Sequence, residues 1–159
     1  MNIFSHEDAQ NAVAKATAVV VSGEYSAIEE DAFAFSEVES VVIEEGVTAI
    51  GNSAFSCCEK LASVTLPTSL RTIGDTAFAG CISLTRITIP NGVEQIGEQA
   101  FYNCIELEEA VLPESVTKIG KWAFENCSKV TVKSTRKAYA RKYCNGVWGL
   151  MYKTNWAEL

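Results

Sequence analysis

The chain has 159 residues, 48% of them apolar and 21% charged, which suits one domain with a continuous core and excludes a disordered polymer. No apolar run nears the roughly 20 residues of a membrane helix, and the net charge of −7 argues against nucleic acid as the main partner. No Lys or Arg precedes Lys15, and the longest early apolar stretch is Ala18 to Val21, so no secretory signal is expected here.

In chain order, Ser5-His-Glu-Asp8 reads as a helix start, with Ser5 as N-cap and acids in the first turn, and the helix is expected to reach about Ala16. Val19, Val21, Tyr25 and Ile28 then open a periodic region. Ile28-Glu-Glu-Asp-Ala-Phe33 is followed by Ile50-Gly-Asn-Ser-Ala-Phe55, Ile73-Gly-Asp-Thr-Ala-Phe78, Ile96-Gly-Glu-Gln-Ala-Phe101 and Ile119-Gly-Lys-Trp-Ala-Phe124. The spacing is 22 residues once and 23 thereafter, the mark of a solenoid whose units bury their apolar faces by stacking. Each glycine is expected where a Cβ would hinder the backbone, and the phenylalanines are expected to form an internal stack.

A second motif accompanies the first: Leu61-Ala-Ser-Val64-Thr-Leu66-Pro67, Leu84-Thr-Arg-Ile87-Thr-Ile89-Pro90 and Leu107-Glu-Glu-Ala110-Val-Leu112-Pro113, with Val38-Glu-Ser-Val41-Val-Ile43 before them. Short alternation rich in β-branched residues predicts one half-buried strand per coil, ended by the proline. The expected organisation is a helical cap over 1–18, a half coil over 19–27, coils 28–49, 50–72, 73–95, 96–118 and 119–135, and a second cap over 136–159. At ~4.8 Å per coil the stack is ~24 Å long. Lys133 and Thr135 are read as replacing the strand aliphatics of the fifth coil. Residues 136–143 read as a basic helix closing near Gly146, with Trp148, Tyr152 and Trp156 as apolar bulk over the last coil.

Four cysteines, Cys58, Cys81, Cys104 and Cys127, share one repeat position and read as a column of buried free thiols, since parallel side chains point wrongly for disulfides. No metal-ligand spacing is present, and no cofactor is expected. Cys57 and Cys144 stand outside the column and keep a thiol-redox reading open. The only histidine, His6, has no nucleophile to pair with, so no catalytic residue is assigned. The acid pairs Glu44-Glu45 and Glu108-Glu109 are at most weak Ca²⁺ ligands.

Positions that vary between copies are the candidates for binding. The strand face presents Ser40, Ser63, Arg86 and Glu109 in one row and Val42, Thr65, Thr88 and Val111 in the next. Trp122 stands where other coils carry Ser53, Thr76 and Gln99, and it either packs beneath Trp148 or Tyr143 or offers an exposed anchor. Charge is uneven: residues 1–110 carry 17 acids and 4 bases, and residues 111–159 carry 3 acids and 9 bases. The basic end is either a solvated cap or one pole of a dipole that orients a partner or a second copy.

With both motifs and their spacing in hand, the chain resembles the BspA-like (Treponema pallidum-type) leucine-rich repeats over residues 19–135. The resemblance implies a right-handed α/β solenoid with a one-strand-per-coil parallel sheet on its concave side. It also implies the cell-surface or secreted setting and the adhesive or host-protein binding common in that family, whereas free cysteines suit a reducing compartment. The function expected is a non-catalytic module binding a protein partner of unknown identity through the strand face, with no nucleic acid and no membrane span, as a monomer or weakly self-associating. A structural, self-associating repeat domain of a larger surface protein and a thiol-based redox protein are the alternatives.

Overall fold

Alternating apolar residues fold here into two parallel ladders per coil. The computed structural model describes residues 2–134 and the backbone strand 155–158. The longer strands are β2 (Ala18–Val21), β4 (Ser40–Ile43), β6 (Ser63–Thr65), β8 (Arg86–Thr88), β10 (Glu109–Val111) and β12 (Thr131–Ser134). Two-residue strands β1 (Ile3–Phe4), β3 (Ala27–Ile28), β5 (Ala49–Ile50), β7 (Thr72–Ile73), β9 (Gln95–Ile96) and β11 (Lys118–Ile119) form a second, six-stranded parallel ladder in that order. The expectation of one strand per coil is therefore corrected. The residue before each motif isoleucine and the isoleucine itself are extended, and two residues are too few to show alternation in a sequence.

The first strand was not foreseen. Phe4 lies opposite Ile28, and its ring stacks on Phe33 at 5.4 Å. The aromatic column thus has six rings, continuing through Phe55, Phe78, Phe101 and Phe124 at 4.8–5.3 Å with planes within 10°. All five repeat phenylalanines are fully buried, each pair adding about 0.5–1.5 kcal/mol beyond its area burial.

Helix α1 (His6–Val13) starts as expected, with a reciprocal capping box between Ser5 and Asp8. It stops short of Ala16 because Ala18 must already be extended to pair with Ser40. It is the only helix among the described residues. The basic helix expected over 136–143 lies outside them, as do Tyr143, Cys144, Trp148 and Tyr152. Beside the last coil stands a strand, β13 (Asn155–Glu158), parallel to β12 with Trp156 opposite Val132.

The fifth coil is one residue short in its strand. Glu109 pairs with Thr131 at an offset of 22, so Val130, Val132 and Ser134 face inward and Lys133 faces outward. Reading Lys133 as a replacement for a core aliphatic was an error of register, which turns a side chain to the other face, and Thr135 lies outside the described residues.

The motif glycine is demanded by proximity of coils. A Cβ on Gly97 would lie 2.5 Å from the backbone nitrogen of Asp75, and one on Gly120 2.3 Å from that of Glu98. Left-handed geometry falls two residues later, on Ser53, Thr76, Gln99 and Trp122, with φ between 52° and 56°. For a β-branched Thr or a Trp that conformation is uncommon.

One interruption matters for the site. The long strands form two ladders, β2-β4-β6 and β8-β10-β12-β13, with no pairing between β6 and β8. Register would join Thr85 N–H to Ala62 C=O and Leu66 N–H to Thr88 C=O there. The equivalent bonds in other coils, Glu108 N–H to Thr85 C=O and Ile89 N–H to Val111 C=O, are both 2.9 Å. The short-strand ladder runs unbroken past the same level.

Candidate functional site

The strand face is where alternation turns variable residues outward. Ser40 pairs with Ser63 and Val42 with Thr65, while Arg86 pairs with Glu109 and Thr88 with Val111. The two expected rows therefore exist as rows, each interrupted between the second and third coil.

That interruption brings four of the eight face residues together. Ser63, Thr65, Arg86 and Thr88 line a cleft of about 520 Å³, floored by Val64 and Leu66. Both floor residues are half-buried, whereas their counterparts Val41, Ile43, Ile87 and Ile89 are buried. The cleft combines apolar floor, hydroxyl walls, unladdered backbone groups and one cation, the mixture a binding site uses to hold an extended or polar segment. Ser40 and Val42 lie one coil to its N-terminal side, and Glu109 and Val111 one coil to its C-terminal side.

Arg86 is 70% exposed at its side chain and pairs with Glu109 at 3.2 Å. Glu109 also meets the ammonium of Lys133, so its two oxygens are held by cations from the coils on either side. The Lys133 hydrogen bond and the Arg86 charge keep this carboxyl below its ordinary range, against the opposing effect of desolvation. Lys133 belongs to this outward charged row, and sequence reasoning missed it. Its signal was the strict alternation Val130-Thr-Val132-Lys-Ser134, which places it outward once the missing residue is allowed for.

Neither acid pair is available as a Ca²⁺ ligand set. Glu45 accepts hydrogen bonds from Thr68 N–H at 2.7 Å, Ser69 N–H at 3.0 Å and the Thr68 hydroxyl at 3.0 Å, which lower its carboxyl pKa. It closes the turn of the next coil. Glu109 is committed to its two cations.

The cysteine column is interior and bonded. Cys58, Cys81, Cys104 and Cys127 each donate S–H to the carbonyl of Phe33, Phe55, Phe78 and Phe101, at 2.9–3.2 Å. Burial pushes the thiols of Cys58 and Cys81 up, and contact with Cys127 together with burial does so for Cys104. Raised, buried thiols are poor nucleophiles, which makes Cys58, Cys81 and Cys104 poor candidates for redox chemistry. Cys57 sits half-buried at a left-handed position, φ 56°.

Trp122 is 43% exposed. Its expected neighbours Tyr143 and Trp148 lie outside the described residues. His6 holds α1 to the first coil, its Nδ1 lying 2.9 Å from the carbonyl oxygen of Ala32.

The BspA type leucine-rich repeat region matches residues 13–141 of the sequence in six copies. A leucine-rich cell surface protein of Faecalibacterium prausnitzii is 34% identical and superposes with a TM-score of 0.70, covering 79% of this chain and 33% of its own. The leucine-rich repeat protein of Treponema pallidum is 35% identical with a TM-score of 0.72, covering 74% of this chain and 58% of its own. A leucine-rich repeat protein of Bacteroides ovatus, 22% identical over 91% of this chain with a TM-score of 0.69, shares the fold. The chain thus spans about a third to somewhat over half of the first two relatives. No curated protein matches the sequence. Six copies of the repeat, stacked as these strands are, make the chain a member of the BspA-type leucine-rich-repeat family.

Proposed function

We propose that this chain is a non-catalytic binding module that holds a protein partner on its outward strand face, centred on the cleft between β6 and β8. The observation that carries this reading is the open ladder, which collects Ser63, Thr65, Arg86 and Thr88 around a half-buried apolar floor and unladdered backbone. A closed ladder would leave a plain solvated β-face there. The Arg86–Glu109–Lys133 chain of charges borders the cleft and would set the orientation of a polar partner. Adhesive display at the cell surface belongs to the same reading, supported by the description of the F. prausnitzii relative as a cell surface protein.

The test is affinity capture from extracts followed by identification of the captured protein, comparing the wild type with an Arg86→Glu/Glu109→Arg double reversal and a Thr65→Lys variant. A partner retained by the wild type and lost by both variants is expected. Equal capture by all three rejects the strand-face site. Surface proteolysis of intact producing cells that spares the chain would reject surface display.

A further inference from the structure

A second surface lies at the other side of the first coil. Phe35 is 77% exposed and left-handed, with φ 60°. Later coils fill the same position with Cys57, Gly80, Asn103 and Asn126, and of these Gly and Asn are the usual left-handed residues. An aromatic ring here is unfavourable both for the backbone and for solvation, which marks it as a contact residue. Beside it runs a groove of about 470 Å³ between α1 and the first coil, lined by Ala9, Val13, Ala32 and Ala34 and edged by Glu37. His6, bonded to Ala32 and with Nε2 2.8 Å from Gln10 Nε2, fixes the helix against the coil, so the groove is preformed.

Its electrostatic setting is acidic. Residues 1–39 carry eight carboxylates against the single cation Lys15. The densest basic run of the chain is the opposite in kind: residues 136–143 hold Arg136, Lys137, Arg141 and Lys142 with Tyr139 and Tyr143 and no acid. That run follows β12, whose strand lies five coils and roughly 24 Å of ladder from the coil against which α1 packs. We propose that the groove beside Phe35 docks residues 136–143 of a second copy of this chain, joining copies head to tail. Such a contact uses two different surfaces and extends into short chains of molecules unless the rotation closes a ring. Opposite charge brings the ends together, and the Phe35 ring and the alanine-lined groove receive the tyrosines.

Sedimentation velocity from micromolar to sub-millimolar concentration, at low and high salt, tests this with three proteins. They are the wild type, Phe35→Asn, and the fourfold reversal Arg136→Glu/Lys137→Glu/Arg141→Glu/Lys142→Glu. Asn suits the backbone at position 35, as Asn103 and Asn126 show, so circular dichroism and melting should be unchanged in that variant. The wild type is expected to self-associate, more weakly at high salt, and each variant to lose at least about tenfold in affinity. Mixed together, the two variants retain one intact groove and one intact basic segment and should form a 1:1 dimer that grows no further. A wild type that stays monomeric, association that survives Phe35→Asn, or a mixture without the 1:1 dimer overturns the proposal. A synthetic peptide of residues 135–146 supplies an independent probe. Its saturable binding to a monomeric wild type would reassign the groove to a cationic segment of another protein.

Discussion

Replacing Gly97 with alanine tests the close stacking on which both surfaces depend. The added Cβ would stand 2.5 Å from the Asp75 backbone nitrogen and 2.5 Å from Asp75 Oδ1, distances no real Cβ tolerates. Backbone is the obstacle, so the coils themselves must separate. The bonds at stake are Gly97 N–H to Ile73 C=O at 2.9 Å and Glu98 N–H to Asp75 Oδ1 at 2.7 Å. Forced overpacking costs about 1–3 kcal/mol, and a weakened hydrogen bond adds about 1 kcal/mol. The sum, about 2–4 kcal/mol, lowers the melting temperature by roughly 4–16 °C for a chain of this size. A matched control is Gly80→Asn: Gly80 is left-handed at φ 74°, and a Cβ there comes nearest to the Cys57 Sγ at 3.3 Å, with the Cys57 backbone at an ordinary 3.5 Å. Asparagine fills that position in the next two coils, so Gly80→Asn should shift the midpoint little. Thermal and urea unfolding of both variants decide the matter. Equal stability of Gly97→Ala and wild type would refute the stacking argument.

The remaining expectations concern the core and the charged row. Phe78→Ala opens the middle of the aromatic column and should cost about 3–5 kcal/mol in urea unfolding; a loss under 1 kcal/mol would show that the stack carries little stability. The raised thiols of Cys58, Cys81 and Cys104 keep their protons in the fold while the unfolded chain begins to lose them near pH 8.5. Their contribution is complete below that pH and is lost as pH rises toward the folded values, by about 1.4 kcal/mol per pH unit for each thiol. Replacing Cys81 with alanine should flatten the alkaline fall in stability, and identical slopes would contradict the assignment. Glu109 behaves oppositely: its depressed folded pKa lends stability above the ordinary carboxylate range that is lost as pH falls through the folded value. Lys133→Ala should move its carbon-13 titration upward, and no movement would remove Lys133 from the row.

What the sequence made legible was whatever repeats. The phenylalanine column, the buried thiols and the outward rows all follow from residues recurring at one position with period-two alternation between them. The two-residue strands escaped because a dipeptide has no period. Lys133 was misassigned because a single missing residue in the fifth coil shifted its face. Left-handed backbone at Thr76, Gln99 and Trp122 was hidden by residue types that seldom adopt it. The open ladder was the least visible of all. Leu66-Pro67 reads like Ile89-Pro90 and Leu112-Pro113, and nothing in β6 or β8 distinguishes the pair that fails to join. Phe35 was overlooked as a member of the aromatic set, although it lies two residues after the stacked Phe33 and points to a different environment.

The central claim is that the strand face opens between β6 and β8 and that a partner seats there. Residue-resolved amide hydrogen exchange measures it directly. In the free chain Leu66 and Thr85 should exchange much faster than Ile89 and Glu108, their equivalents within closed ladders, and a captured partner should slow them. Leu66 and Thr85 as protected as Ile89 and Glu108 in the free chain, or unaffected by the bound partner, would contradict it.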